Sequence, residues 1–490
     1  MSEFTYNTLL QASGGQAWSE SKAFHTARVW TDTRTLQAAD FFLPLPGENF
    51  DGHHYLETAF KQGAIGAFVQ RDKAEAHPEW RGLPNLIAVD DPLTAYLAIA
   101  RHYRETIDPL VIAVTGSSGK TTTKEMLYAA LSHLKKTAKT EKNFNNEVGV
   151  CQTLLALEPG TEVLIVEMGM RGLGQIAILS EAARPDISLI VNIGPAHIGL
   201  LGSLENIAQA KLEIVSGMSS ETGLLILCGD QPLLTRLAAQ EWPHQTVIYS
   251  LNEASQVEID RNGDGQVGVC FTYQGVSVQL PLPGEHMVSN ALAVLKTGEA
   301  LGLSIADLAK GLAQFTPEKG RWERIGLTGY PSVCVINDAY NANPDSAMAS
   351  LKAFLSAEDP KNRRILILGG MKELGDFTQD AHEKLGLWLA AQGQVDALFT
   401  IGEEARWIAE AASNATFPVR YAETLEHLAQ QIVHSEVPLE NAVLYLKGSR
   451  AYKLDELPAL LTQLANPENP KTQTQAQKDL KQDNLEKLRP

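Results

Sequence analysis

Positive charge is in short supply in this 490-residue sequence, where 41 Lys+Arg stand against 58 Asp+Glu for a formal net charge of −17. A nucleic-acid surface needs clustered cations to displace counterions from phosphates, so nucleic acid is excluded as a partner and any anionic ligand has to be held by local groups. Long apolar runs are missing too. No stretch of about 18 apolar residues occurs, which argues against membrane insertion, and residues 1–10 lack the basic-then-apolar layout of a signal peptide, so the expected location is the cytoplasm. Cysteine is scarce. Cys151, Cys228, Cys270 and Cys334 are far apart, form no Cys-x-x-Cys and sit among apolar residues or at strand-like edges, so they read as reduced, buried thiols and not as disulfides or zinc ligands.

What is present is ordinary globular material, 44% hydrophobic, and at roughly 100–200 residues per domain the length predicts about three domains with a core each. Residues 29–91 alternate short apolar segments with turn residues and one helical pattern at 55–62, a small α/β domain. A helix over 92–106 leads to Asp108-Pro109, a boundary. Buried-strand candidates follow at 110–114, 163–166, 187–193 and 224–228, separated by helix-length segments, which means a mainly parallel sheet covered on both faces. After residues 316–320, a proposed hinge, the alternation restarts with strands at 333–336, 364–368, 397–401 and 442–446, a second doubly wound unit. Residues 466–490 are polar, rich in Gln, Asn, Lys and Pro, and read as a disordered tail. Asp260-Arg-Asn262-Gly-Asp264-Gly265 copies the start of a calcium loop, but its twelfth position is Phe271 where a bidentate Glu is needed, so a hairpin turn is the better reading.

The strongest chemical signal is Thr115-Gly116-Ser117-Ser118-Gly119-Lys120-Thr121-Thr122, where a buried strand runs through a glycine loop into a helix. Backbone N–H groups and the positive helix end converge there on phosphate oxygens, while Lys120 adds charge and Thr121 a magnesium-ligating hydroxyl. A standard phosphate loop would have Gly at 114, where Val stands. Glu167 ends the apolar run at 163–166 and can supply the carboxylate a magnesium nucleotide needs, although position alone fits a solvated acid at a strand edge equally well. His197 follows the next strand toward the carboxyl edge, where ligands bind in such sheets, but a lone loop histidine is more often structural. Ser203 can cap a helix over 204–215 that carries Lys211 on the same face as Ile207, Ile214 and Val215; a snorkelling lysine is the plainer account of it.

These segments, with Asn143-Phe-Asn145-Asn146, Glu167-Met-Gly-Met170, Asn192-Ile-Gly-Pro-Ala-His197, Ala210-Lys211-Leu-Glu213, Gly284-Glu-His-Met-Val-Ser-Asn290, Gly320-Arg321-Trp-Glu323, Asp338-Ala-Tyr340-Asn341-Ala-Asn343-Pro, Gly370-Met-Lys-Glu-Leu-Gly375 and Lys447-Gly-Ser-Arg450, resemble the ATP-dependent Mur ligases over about residues 29–465. The resemblance is greatest to the branch that adds D-Ala-D-Ala to UDP-N-acetylmuramoyl-tripeptide. It implies three α/β domains: a small N-terminal UDP-substrate-binding domain (1–108), a central ATPase domain with a P-loop mononucleotide-binding parallel sheet (109–318), and a C-terminal Rossmann-like doubly wound domain (319–465). The sequence departs from the family at Cys151, where Pro is usual, at Gly370, where Asp is usual, and at Ala451-Tyr452, where Ser-Met or similar is usual. The last two bear on the incoming amine.

The activity implied is ATP-driven amide formation in cytoplasmic peptidoglycan precursor synthesis. ATP phosphorylates the peptide's terminal carboxylate, and the amine of D-Ala-D-Ala attacks the acyl phosphate. By the resemblance, residues 115–122 cradle the phosphates, Thr121 and Glu167 bind one magnesium, and His197 and Lys211 serve a second, with Lys211 carbamylated. These make Lys120, Glu167, His197 and Lys211 the expected catalytic set. Asn290, Arg321 and Asp338 would contact the nucleotide; Thr33 and Arg34 the UDP; Asn145 and Asn146 the muramoyl peptide; Tyr340, Asn341 and Asn343 the reacting centre; and Lys447 and Arg450 the dipeptide carboxylate. A monomer is expected, whose C-terminal domain closes over ATP. The rivals are another ligase of the superfamily, such as a folylpolyglutamate synthase, and a P-loop nucleotide-binding regulator. No Asn-Lys-x-Asp guanine motif supports a GTPase, and no Asp-Asn-Pro-Arg motif supports a diaminopimelate-adding relative.

Overall fold

The computed structural model describes residues 4–26, 28–47, 50–261 and 267–465. The expected tail at 466–490 and the tip of the expected hairpin turn at 262–265 lie outside them. Contacts gather the chain into two compact units, Met1–Ile193 with Ala208–Ser250 and Ala291–Gly311, and Gly194–Ile207 with Leu251–Asn290 and Leu312–Pro490.

The first unit holds two sheets. One runs in the order Gln16–Ala17, Leu86–Val89, Gly66–Gln70, Phe41–Phe42, Val29–Trp30, parallel except for its first strand. The other is fully parallel, in the order Thr246–Tyr249, Leu224–Cys228, Ile187–Ile190, Leu110–Thr115, Val163–Glu167, Thr137–Lys139. Every residue of Val163–Glu167, Ile187–Ile190 and Leu224–Cys228 is buried, so both faces are covered and the continuous apolar runs are explained. The helix Pro92–Ile107, capped by Asp91, ends on Asp108 in the left-handed conformation at φ 51°, so the chain turns there into the Leu110–Thr115 strand.

In the second unit, Glu323–Leu327, Tyr330–Asn337, Ala442–Lys447, Arg363–Gly369, Ala397–Ile401 and Val419–Ala422 form a sheet in that order, parallel except for the edge strand Glu323–Leu327. A separate antiparallel sheet joins Ser255–Arg261, Val267–Tyr273 and Val276–Leu280. The strands flanking the calcium-loop lookalike are thus hairpin strands. One expectation is corrected: Cys270 on Val267–Tyr273 and Cys334 on Tyr330–Asn337 are only half-buried, while Cys151 and Cys228 are buried, and all four are free.

Candidate active site

The phosphate-loop signature sits where a parallel strand meets a helix. Leu110–Thr115 leads through residues 116–119 to Lys120–Leu131, and Gly119 adopts φ 75°, a conformation that favours glycine. Gly116 has no room for a side chain to grow freely, since a Cβ would lie 3.1 Å from the Ser118 carbonyl and 3.2 Å from Val191. The loop is shaped from outside by Asn192. Its Oδ1 accepts from the Ser118 N–H at 2.9 Å, its Nδ2 donates to the Ser118 carbonyl at 3.0 Å, and its own carbonyl accepts from the Ser117 N–H at 3.0 Å. Lys120 Nζ donates to the Gly116 carbonyl at 2.6 Å. Ser117, Thr121 and Thr122 are buried along the same turn. The Thr115 hydroxyl is fully buried and donates to the Met168 carbonyl at 2.9 Å, so it ties the strand to the segment that follows Glu167.

Glu167 lies in register with Val114 on the neighbouring strand, beside the root of the loop. It is 2% exposed. Oε1 accepts from Asn145 Nδ2 at 2.7 Å, while Oε2 is buried without a hydrogen-bond partner, its nearest cation being Lys124 Nζ at 3.9 Å. A buried carboxylate oxygen left open is costly unless a cation meets it. One carboxylate and one hydroxyl beside a phosphate cradle suit magnesium, which takes few protein ligands and fills its shell with phosphate oxygens and water. No cluster of three or more His, Cys, Asp or Glu suited to a metal occurs among the described residues, so a site built only of such side chains is not what this unit offers. Asn145, expected at the peptide, here orients the carboxylate; Asn146 caps the helix Glu147–Leu155 by accepting from Gly149 N–H at 3.0 Å.

Lys211 does not snorkel. It is 2% exposed, with no hydrogen bond or ion pair among the described residues, and burial, then the positive Lys120, hold its ammonium well below the usual lysine range. The Ser203 cap forms as the sequence suggests, accepting from Asn206 N–H at 3.1 Å, though the α-helix stops at Leu212 and a tighter turn, Glu213–Val215, follows. In the turn that follows Val29–Trp30, Arg34 is exposed and grips Asp32 through both carboxylate oxygens, and Thr33 beside it is half-buried. No described helix is long and apolar enough to cross a membrane.

In the second unit, His197 has φ 64° and its Nδ1 lies 2.6 Å from Glu373 Oε2; Glu373 shares that unusual backbone conformation at φ 64°. Asp338 and Lys447 form a buried pair, Nζ to Oδ2 2.7 Å, and the Tyr445 hydroxyl donates to the same Oδ2 at 2.8 Å. Lys447 also reaches the carbonyls of Asp338 and Asn341, both at 3.4 Å, so its three donors are taken. The dipeptide carboxylate expected at Lys447 finds no free donor there. Arg450 is exposed and bonded to Asp455 at 2.6 Å. Burial foremost pushes His286 down to about 4, with Asp338 opposing and Lys447 adding to the shift. Asn290 is buried, Arg321 stacks over Tyr340 at 4.4 Å, and Asn343 caps the helix Pro344–Ala357 in a reciprocal box with Ser346. Asn343 therefore spends its side chain on the helix end.

Three partners escaped the sequence reading: Asn192, Lys124 and Glu373. All three stand within or beside the motifs of the sequence, but nothing in spacing says which atoms they meet. Comparison with known proteins agrees with the two parallel sheets. Residues 114–298 match the Mur ligase middle domain and residues 320–450 the Mur ligase, glutamate ligase domain. The chain is 37% identical over 431 residues to the UDP-N-acetylmuramoyl-tripeptide–D-alanyl-D-alanine ligase of Bacillus subtilis, covering 88% of this chain and 92% of the relative. Its Escherichia coli counterpart is 33% identical at the same coverage. Among solved structures, MurF from Acinetobacter baumannii superimposes with a TM-score of 0.81 at 30% identity, covering 94% of this chain and 99% of that one. MurF from Thermotoga maritima in complex with ADP gives 0.77 at 25% identity, covering 89% and 97%.

Proposed function

Because this chain belongs to the Mur ligase family, we infer that it performs the reaction for which its relatives are named, joining D-alanyl-D-alanine to UDP-N-acetylmuramoyl-tripeptide. It is an ATP-dependent, ADP-forming amide ligase of peptidoglycan precursor synthesis. ATP supplies the phosphoryl group that makes the tripeptide's terminal carboxylate an electrophile, and the dipeptide amine then displaces phosphate to form the amide.

The chain's own residues serve charge and position. With the Ser117 and Ser118 N–H groups held by Asn192, the N–H groups of residues 119–122 and the Lys120 ammonium would face the phosphates at the positive end of Lys120–Leu131. Thr121 and Glu167 would hold magnesium, whose charge offsets the repulsion between carboxylate and triphosphate. Asn145 fixes Glu167 through Oε1 and leaves Oε2 for the ion. That open, buried oxygen beside the loop is the observation that carries the reading. The lowered Lys211 pKa raises the share of neutral amine, the form that attacks carbon dioxide with loss of a proton to give a carbamate, which would be a carboxylate-like ligand for a second magnesium. Carbon-13 NMR with labelled bicarbonate tests this: a carbamate resonance absent from Lys211→Ala supports it, and identical spectra overturn it.

We further propose a cytoplasmic monomer, to be checked by light scattering on the purified chain. The reaction is tested by phosphate release from ATP, magnesium and UDP-muramoyl-tripeptide, with and without D-Ala-D-Ala. Release that does not depend on the dipeptide overturns the assignment.

A further inference from the structure

Lys372, Lys447 and Arg450 stand at or just beyond the carboxyl ends of Arg363–Gly369 and Ala442–Lys447. Lys447 is 5% exposed at its side chain and its donors are filled. Arg450, 63% exposed, is turned to Asp455 on its own short segment.

Lys372 is different. Its side chain is 44% exposed, its ammonium pairs with Glu404 and lies 5.2 Å from the Tyr452 ring centroid, and an ammonium has three donors, so it retains capacity for a ligand. The loop that bears it is tied down: the Lys372 N–H donates to Ser449 Oγ at 3.0 Å and the Ser449 N–H to the Gly370 carbonyl at 3.1 Å. The Tyr452 hydroxyl donates to the other oxygen of Glu404. Burial, then that carboxylate, pushes the phenol up to about 12, so the donated proton stays in place at neutral pH.

Two glycines make the arrangement possible. A Cβ at Gly402 would stand 2.0 Å from the Tyr452 ring, and one at Gly370 would stand 2.8 Å from Glu404 Oε2 and 3.0 Å from the ring. Any side chain at either strand end would evict the tyrosine or the carboxylate. The result is a half-open cation on an aromatic floor, braced from behind, which suits a small carboxylate.

We propose that Lys372, braced by Glu404 and seated on Tyr452, receives the carboxylate of the acceptor dipeptide. The proposal rests on the acceptor assigned above, and the test separates the two. Initial rates of phosphate release are measured with the full chain, ATP, magnesium and UDP-muramoyl-tripeptide, using D-Ala-D-Ala or its C-terminal amide as acceptor. The wild type is expected to lose about tenfold in kcat/KM on the amide, the worth of one charge-assisted hydrogen bond. Lys372→Met is expected to lose about as much on the free acid and nothing further on the amide, with KM for ATP unchanged. Tyr452→Phe, which keeps the floor and loses the brace, falls between. A Lys372→Met enzyme that still prefers the acid as the wild type does, or a wild type indifferent to the amide, overturns the proposal. A wild type that ignores both acceptors overturns the acceptor assignment instead. If Lys372→Met does not fold, Lys372→Gln is read in the same assay against the same two outcomes.

Discussion

The carboxyl ends of the two parallel sheets handle charge in opposite ways. In the sheet of residues 110–249, Glu167 keeps one buried oxygen without a hydrogen bond and Lys211 is buried with no counterion among the described residues. In the sheet of residues 323–447, Lys447 is matched to Asp338, Arg450 to Asp455 and Lys372 to Glu404. The first arrangement stores unmet electrostatic demand that a bound ion satisfies; the second is self-contained and positions groups without needing an ion. A site for phosphate and metal and a site for a small zwitterion call for this contrast.

The contrast breaks most sharply at Glu167. Glu167→Gln is expected to lower the rate of dipeptide-dependent phosphate release on the order of 10²–10³-fold, with little change in urea midpoint, because the amide oxygen can keep the Asn145 hydrogen bond and Lys124 keeps its closer partner Glu125. A variant with normal turnover would show that the open oxygen has no catalytic use. Lys447→Met should do the reverse, leaving Asp338 unpaired and destabilising the fold by about 3–5 kcal/mol, read from urea unfolding. Unchanged stability there would mean that the pair is not self-contained. Asn145→Ala, which loosens Glu167, is expected to weaken manganese binding about 10–100-fold in the presence of ADP, followed by electron paramagnetic resonance.

A smaller effect concerns pH. Half-buried His286 is pushed down to about 4 in the fold against an ordinary value of 6.5, so between those values the unfolded chain binds more protons. Stability is full above about 6.5 and declines as pH falls toward 4. His286→Gln should flatten that decline in urea midpoints measured across the window, and an undiminished slope would assign it to other groups. Smallest are the caps. Asn146→Ala and Asn343→Ala should each cost about 1 kcal/mol. If KM for the UDP-tripeptide rises in Asn146→Ala beyond what stability explains, that residue also meets substrate.

Much of the architecture was legible because buried parallel strands are written as unbroken apolar runs: 163–166, 224–228 and 397–401 fall on strands nearly residue for residue. The edge strands Thr137–Lys139 and Val419–Ala422 were missed, since short, half-exposed strands carry no such run. The phosphate loop was legible because its geometry is local. Pairings across distance were not. Asn145 meets Glu167 across 22 residues and Lys447 meets Asp338 across 109, and neither periodicity nor composition encodes such partners. Asn343 and Thr115 show a further limit, because a polar residue inside a functional motif can spend its side chain on a helix end or a neighbouring strand.

Asn192 carries one more consequence. By accepting from the Ser118 N–H and donating to the Ser118 carbonyl, its amide acts as a piece of neighbouring strand laid against the loop. The loop therefore holds its curvature before nucleotide arrives, so little ordering entropy opposes association. Nucleotide exchange in this enzyme is then a matter of breaking contacts to phosphate, with no folding and unfolding of the cradle, and a preformed cradle can be emptied and refilled every turnover without being rebuilt.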